Sequence, residues 1–262
     1  MKLRWIDLDL VDPKIVFAIW EYSRIFEMKD AVLFTVRHNK RVVETACNSK
    51  SADEDFYPEK LPEDVGVYRH HNTTKVKFGL GTWSPDVVGV YLHVPEDTDP
   101  KTIPLSLLKV LRSLGVNCYY ENNDLFYVKD NKKKKFLGLM GIGWENGWMC
   151  LQAMFSFRID IELLNNILRF DKEKFMKKKE FKSLDDIIGG LWDYNSELNM
   201  KDIEKLMATE IANRLNLEVY EDTLSVEEMD RILELACGLD TNDWIYNLIH
   251  PELGNVDRRS KI

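Results

Sequence analysis

Apolar positions along the chain recur in two periods, and the switch between them marks out the elements. After Asp12-Pro13, the residues Ile15, Ile19, Tyr22 and Phe26 fall at helical spacing. They predict a helix with one apolar face, with Asp12 as cap and Pro13 in the first turn. Ala31 to Arg37 and Arg41 to Ala46 read as a strand pair around His38-Asn39-Lys40. Val65 to Arg69, Val87 to Val94 and Trp148 to Phe157 read as further strands, the second rich in valine and tyrosine. Ile103, Leu107, Leu108 and Leu111 share one face of a helix over 100–114 that Gly115 stops. Leu125 to Lys129 and Lys132 to Gly138 form a predicted hairpin about Asp130-Asn131, a pair that suits a tight primed turn. Residues 49–62 are polar and punctuated, and read as a loop or short helix.

Beyond residue 157 the pattern becomes helical. Residues 161–170 and 200–215 read as helices, 172–182 as a charged surface segment and 184–191 as an apolar stretch. Ser225 with Glu228 three residues on is a capping box for a helix that Gly238 closes. The expected class is α/β mixed (α+β): a mixed β-sheet with flanking helices over 1–192, a small helical C-terminal region over 193–250, and a polar tail over 251–262.

Composition narrows the function. With 262 residues, 45% hydrophobic and 11% aromatic, the chain can bury a substantial core. A net charge of −8 speaks against general nucleic-acid affinity. No run approaches 18 uncharged apolar residues, so no membrane helix is expected. Asp7 stands where a signal peptide would run apolar. Cys47, Cys118, Cys150 and Cys237 are far apart with no Cys-x-x-Cys, which argues against zinc and fits a reducing cytoplasm.

Against that acidic background, Lys132 to Lys135 set four consecutive cations at one turn. Such a local field suits a phosphate or carboxylate, although a charge run at a hairpin tip is also an ordinary solvated surface. Lys135 adjoins the apolar strand, so an inward ammonium is expected there. Trp144, Gly147 and Trp148 are candidates for an apolar slot or for core. His70-His71 alternate faces on a strand and suit a single histidine role better than a shared metal. Gly79 and Gly81 fit a turn better than a phosphate loop.

The order of these segments resembles the lipoate–protein ligase family, within the biotin and lipoate ligase fold. Asn123-Asp124-Leu125 followed by Lys134-Lys135-Phe136-Leu137-Gly138 is similar to the family's Asn-Asp and Gly-Lys-Lys-Ile-Ser-Gly. Tyr68-Arg69-His70-His71 falls where the family has paired arginines. Ile159-Asp160-Ile161, Leu168 and the segments 172–175 and 177–183 resemble the family's exit from the sheet. Leu224-Ser225, Glu227-Glu228 and Asn242-Asp243-Trp244 resemble its C-terminal ending. The resemblance covers about residues 5–248.

What it implies is condensation of lipoate, or an octanoyl or related acyl acid, with ATP and Mg²⁺. The acyl-adenylate then acylates a lysine of a lipoyl-carrier protein. Lys135 would be the catalytic cation. Arg69, His70, Lys75, Asn123, Asp124 and Gly138 would hold the nucleotide, with no protein metal site. Four positions depart from the family. Asn72-Thr73-Thr74-Lys75 replaces a glycine triplet, His70 replaces an arginine, Leu137 replaces a serine, and Gln152-Ala153-Met154 replaces His-Gly-Thr. Two alternatives therefore stay open. One is a non-catalytic relative that binds a carrier protein or a ligase partner. The other is an ATP-independent acyltransferase that uses Cys118 as nucleophile.

Overall fold

The computed structural model describes residues 1–25, 30–45, 56–69, 80–121, 125–130, 133–169, 183–239, 249–250 and 254–255. The elements in chain order are β1 (Lys2–Val11), α1 (Pro13–Ile25), β2 (Ala31–His38), β3 (Val42–Thr45), β4 (Gly66–Arg69), β5 (Leu80–Trp83) and β6 (Val87–Pro95). There follow α2 (Thr102–Ser113), β7 (Cys118–Glu121), β8 (Leu125–Asp130), β9 (Lys133–Glu145), β10 (Trp148–Ser156) and α3 (Ile161–Ile167). Last come α4 (Met200–Leu215), β11 (Glu218–Asp222), α5 (Val226–Ala236) and a two-residue pair, β12 (Ile249–His250) with β13 (Gly254–Asn255).

An eight-stranded sheet runs in the order β11-β1-β2-β6-β10-β9-β8-β7. It is mixed: β11, β1 and β2 run parallel, and each remaining neighbour pair is antiparallel. The fold class expected from the periodicity is the one observed. β2 is buried on both faces, because each face of the sheet carries its own apolar layer. On one face, α2 and α4 pack on Leu33, Val90, Leu92 and Leu151 through Leu107, Leu111, Met207 and Ile211. On the other, α1 and α5 pack over Ile6, Phe34 and Tyr91 through Phe17, Ile19 and Ile232. A three-stranded sheet, β4-β3-β5, adds Val42, Tyr68 and Trp83 to that second layer. Its reverse side, with Val43, closes on Phe56, α3 and Ile187.

The strand pair expected around His38-Asn39-Lys40 does not form. β2 pairs with β1 and β6, whereas β3 belongs to the small sheet. The Asn39 amide donates instead to Val11 O at 2.9 Å, and the chain crosses from one sheet to the other there. A turn motif between two apolar runs carries no information about which sheet each run joins.

Local caps follow the sequence. The Lys14 amide is held by Asp12 Oδ1 at 3.1 Å, and Ser225 and Glu228 form the reciprocal capping box. Gly115 and Gly238 both take positive φ after their helices. The described C-terminal residues are built into the main body. β11 extends the central sheet beside β1, α4 packs on α2 and α5 packs on α1. Arg4 on β1 fastens this addition. Its guanidinium donates to Asp222 Oδ2 at 2.7 Å, to Glu228 Oε1 at 2.5 Å and to Thr223 O at 2.8 Å.

Candidate functional site

The hairpin expected at the lysine cluster is β8–β9. Phe126 faces Gly138 while Tyr127 faces Phe136, so Leu137 is the extra residue of a β-bulge, turned into the core. Before the bulge β9 leaves β10 and meets residues 187–189 instead. Phe136 N donates to Ile187 O at 2.7 Å, and Gly189 N donates to Phe136 O at 3.0 Å. This docking positions Lys135, the residue just before it.

Lys135 is half-buried. It pairs with Val128, so its side chain leaves the sheet on the face that carries α2 and α4. There its stem crosses Gly189, with Cδ 3.5 Å from the position a Cβ on Gly189 would take. Asp193 Oδ2 lies 3.2 Å and Tyr194 Oη 3.7 Å from the same point. Among the described residues no carboxylate stands within 4.0 Å of the ammonium.

Gly138 is placed by contact. A Cβ there would lie 2.1 Å from Met154 O on β10, so no other residue fits this crossing. Arg69 ends β4 opposite Thr45 and is fully buried. His70, Lys75, Asn123 and Asp124 lie outside the described residues, as do His71, Asn72-Thr73-Thr74 and Gly79.

A second polar group occupies the opposite face of the sheet, over β6 and β10. Trp83 Nε1 donates to Glu44 Oε2 at 2.5 Å, and Glu44 Oε1 has no hydrogen-bond partner among the described residues. Burial pushes the Glu44 carboxyl up to about 7. Gln152 Nε2 donates to the Tyr91 hydroxyl at 3.2 Å. The Tyr91 phenol is held well above its usual range, first by burial and then by the charge of Glu44. His38 stacks on Trp83 with ring centroids 4.6 Å apart, and burial lowers it to about 3, so the ring is neutral. The structure thus sets Lys135 on one face and the Gln152 position on the other.

Two expectations change here. Cys118 is fully buried among core residues, and burial raises its thiol to about 11. An unactivated thiol in an apolar core does not match a nucleophile. Trp144 is 57% exposed, and Gly147 turns the β9–β10 hairpin at φ 79°, so neither lines an apolar slot. Asp193, Glu44 and Tyr91 were not singled out from the sequence. Glu44 carried a usable signal, a lone acid in Val42-Val43-Glu44-Thr45 on a strand buried on both faces. Asp193 carried none, because only the docking of 187–194 on β9 brings it to Lys135.

Neither the protein-family models nor the curated proteins contain a match to this chain. Solved structures do match. A bipartite lipoate protein ligase from Thermoplasma acidophilum, from work that also treats its E2 lipoyl domain, superposes with TM-score 0.81 at 17% identity. The match covers 97% of this chain and 99% of that one. Lipoate-protein ligase A bound with ATP gives 0.74 at 16% identity, with 94% and 98% covered. A second T. acidophilum structure, with bound lipoic acid, gives 0.71 at 15%, with 93% and 98% covered. The chain has the fold of the lipoate–protein ligases. At these identities the likeness is one of architecture, and the chemistry has to be argued from the residues.

Of the site residues expected from the sequence, the described cations are Arg69, buried at the end of β4, and Lys135 on β9. Among the described residues, no group of three or more His, Cys, Asp or Glu could hold a metal ion. None of the described helices is long and apolar enough to cross a membrane.

Proposed function

We propose that this protein is a lipoate–protein ligase-type enzyme that attaches a lipoyl, octanoyl or related acyl group to a lysine of a carrier domain. In the first step a carboxylate oxygen of the acid attacks the α-phosphorus of ATP. The bond from that phosphorus to the β-phosphate bridge breaks, and pyrophosphate leaves. In the second step the carrier lysine nitrogen attacks the acyl carbonyl carbon, the bond to AMP breaks, an amide forms and the amine loses its proton.

Lys135 would stabilise the negative charge that grows on the carbonyl oxygen in that second step. Arg69, His70, Lys75, Asn123, Asp124 and Gly138 would hold ATP. Mg²⁺ would come with the nucleotide and neutralise its phosphates. A reducing cytoplasm suits the free, dispersed thiols. The observation that carries this reading is Lys135 itself. It is a half-buried lysine with no ion-pair partner among the described residues, at the hairpin of a ligase fold that matches end to end. A structural lysine at such a place would be expected to sit on a carboxylate.

The test is ATP–pyrophosphate exchange with lipoate, octanoate or biotin as the acid. Exchange with at least one acid is expected, and acyl transfer to a carrier lysine should fall about 10²- to 10³-fold in Lys135→Met. No exchange with any acid overturns the reading.

One observation favours a second reading, a non-catalytic relative that binds a carrier or a ligase subunit. Gln152, at a position where the family resemblance places a pocket histidine, is buried and tied to Tyr91. Capture of a lipoyl-carrier domain by a protein that shows no exchange would select this reading.

A further inference from the structure

α4 seats on the sheet through a buried stripe, Ile203, Met207, Ala208, Ile211 and Ala212, and Glu204 lies within it. The Glu204 side chain is wholly shielded from solvent. Around it stand the charged ends of two parallel strands. Asp7 and Asp9 flank a bulge in β1, and Arg37 lies near the end of β2. Lys201, one turn earlier on the helix, donates to Asp7 Oδ2 at 2.7 Å and stands 3.1 Å from Asp9 Oδ1. The Arg37 guanidinium donates to Asp9. Two cations are thus matched by two carboxylates before Glu204 is counted.

Glu204 is the third acid. Its Oε2 is 3.4 Å from Lys201 Nζ and its Oε1 is 3.6 Å from Arg37 Nε, and neither oxygen completes a hydrogen bond among the described residues. The other elements packed on α4 bring no charge against it. On α2, Lys109 is paired with Glu210 and Arg112 donates to Cys118 O. On β11, Glu218 pairs with Lys2, Asp222 pairs with Arg4, and Glu221 is exposed beside Trp5. A buried carboxylate whose nearest cations are engaged elsewhere is costly to ionise. Burial accordingly pushes Glu204 up to about 7, against the pull of Lys201 and Arg37.

We propose that Glu204 is a proton-sensitive anchor for α4. Protonated, it fits the buried stripe as a neutral group. Ionised, it sets an excess negative charge between helix and strands, and the first two turns of α4 loosen. The stretch ahead of the helix shares this anchor, because Trp192 Nε1 donates to Leu198 O at 3.0 Å while residues 187–189 dock on Phe136. The start of α4 and β9 are the two fixed ends of one strap. The folded protein binds the Glu204 proton more tightly than the unfolded chain does. The hold is therefore full below about pH 4.5 and is lost as pH rises through about 7. None of this depends on the ligase reading.

Hydrogen exchange of the intact protein, read by mass spectrometry on peptides covering 199–207 and corrected for intrinsic rates, tests the anchor. Glu204→Gln keeps the shape and removes the titration. Glu44 titrates in the same range in both proteins, so its effect cancels in their ratio. The ratio of wild-type to Glu204→Gln protection over 199–207 should fall about 10-fold from pH 6 to pH 8. Over α5, on the other side of the sheet, the ratio should stay constant. A ratio over 199–207 that does not move with pH overturns the inference. So does an equal fall over α5, which would make Glu204 a matter of global stability. Should Glu204→Gln fail to fold, Lys201→Met decides. Withdrawing the nearest cation should make the fall over 199–207 steeper than in the wild type, and an unchanged profile overturns the anchor.

Discussion

Gly138 lies against the main chain of Met154, so close that a Cβ would meet the carbonyl oxygen at 2.1 Å. The contact sits at the bulge where β9 stops pairing with β10 and turns to residues 187–189. Gly138→Ala must therefore push two strands apart. It is expected to cost more than about 3 kcal/mol by urea unfolding. Gly141 and Gly143, on the same strand, have no atom within 4 Å of an added Cβ. Alanine at either should range from neutral to a gain of about 1 kcal/mol. Equal losses at all three would refute the close crossing.

Glu44 gives a pH prediction of definite sign. Its carboxyl titrates near 7 in the folded protein, against an ordinary value of 4.5. The folded state thus holds its proton longer than the unfolded chain. This group's contribution is most favourable below about pH 4.5, declines as pH rises to about 7, and stays flat above. Glu44→Gln keeps an acceptor for Trp83 and removes the titration. It should be more stable than wild type at pH 8, by up to about 3 kcal/mol, and the difference should vanish near pH 4. A constant difference across that range would show that burial does not govern this group.

Arg4 should act as the clasp of the C-terminal addition. Arg4→Met strands Asp222, Glu228 and Thr223 O and is expected to cost about 1 to 3 kcal/mol. The hydrogen bond from Arg4 holds the Glu228 carboxyl below its usual range. The stability from that pair is therefore present above pH 4.5 and lost as acid protonates Glu228. Chemical unfolding of both proteins at pH 7 and pH 3 should show the gap closing at the lower pH.

Thiol reactivity separates the cysteines. Cys118 is buried with a thiol near 11, while Cys237 is exposed. Iodoacetamide at pH 8 followed by peptide mapping should modify Cys237 readily and Cys118 only after unfolding. Prompt modification of Cys118 would reopen the acyl-enzyme mechanism.

Lys135→Met should leave the melting temperature unchanged, since the ammonium has no ion-pair partner among the described residues. A loss of several degrees would mark Lys135 as structural.

Much of this architecture was legible beforehand. The capping box at Ser225, the start of α1 at Asp12 and the strong strands β6 and β10 follow from a few residues each, because caps and side-chain periods are local physics. The separation of β2 from β3 was not legible. Two apolar runs flanking a turn look the same whether they pair with each other or with strands far away in sequence. The candidate site was only partly legible, since Cys118 beside a cationic cluster and Cys118 inside an apolar core are written with the same letters.

What the sequence determined alone was the set of elements, the acidic surface and the one lysine cluster within it. Each depends on neighbours within a turn or a strand. Tertiary packing decided the rest: that β9 leaves β10 at the Leu137 bulge, that residues 187–189 dock there, and that Asp193 arrives beside Lys135. Those residues lie 58 positions apart in the chain. Only the free energy of closing the sheet, the helices and the crossing segment around one core brings them together, and no short stretch of sequence contains that balance.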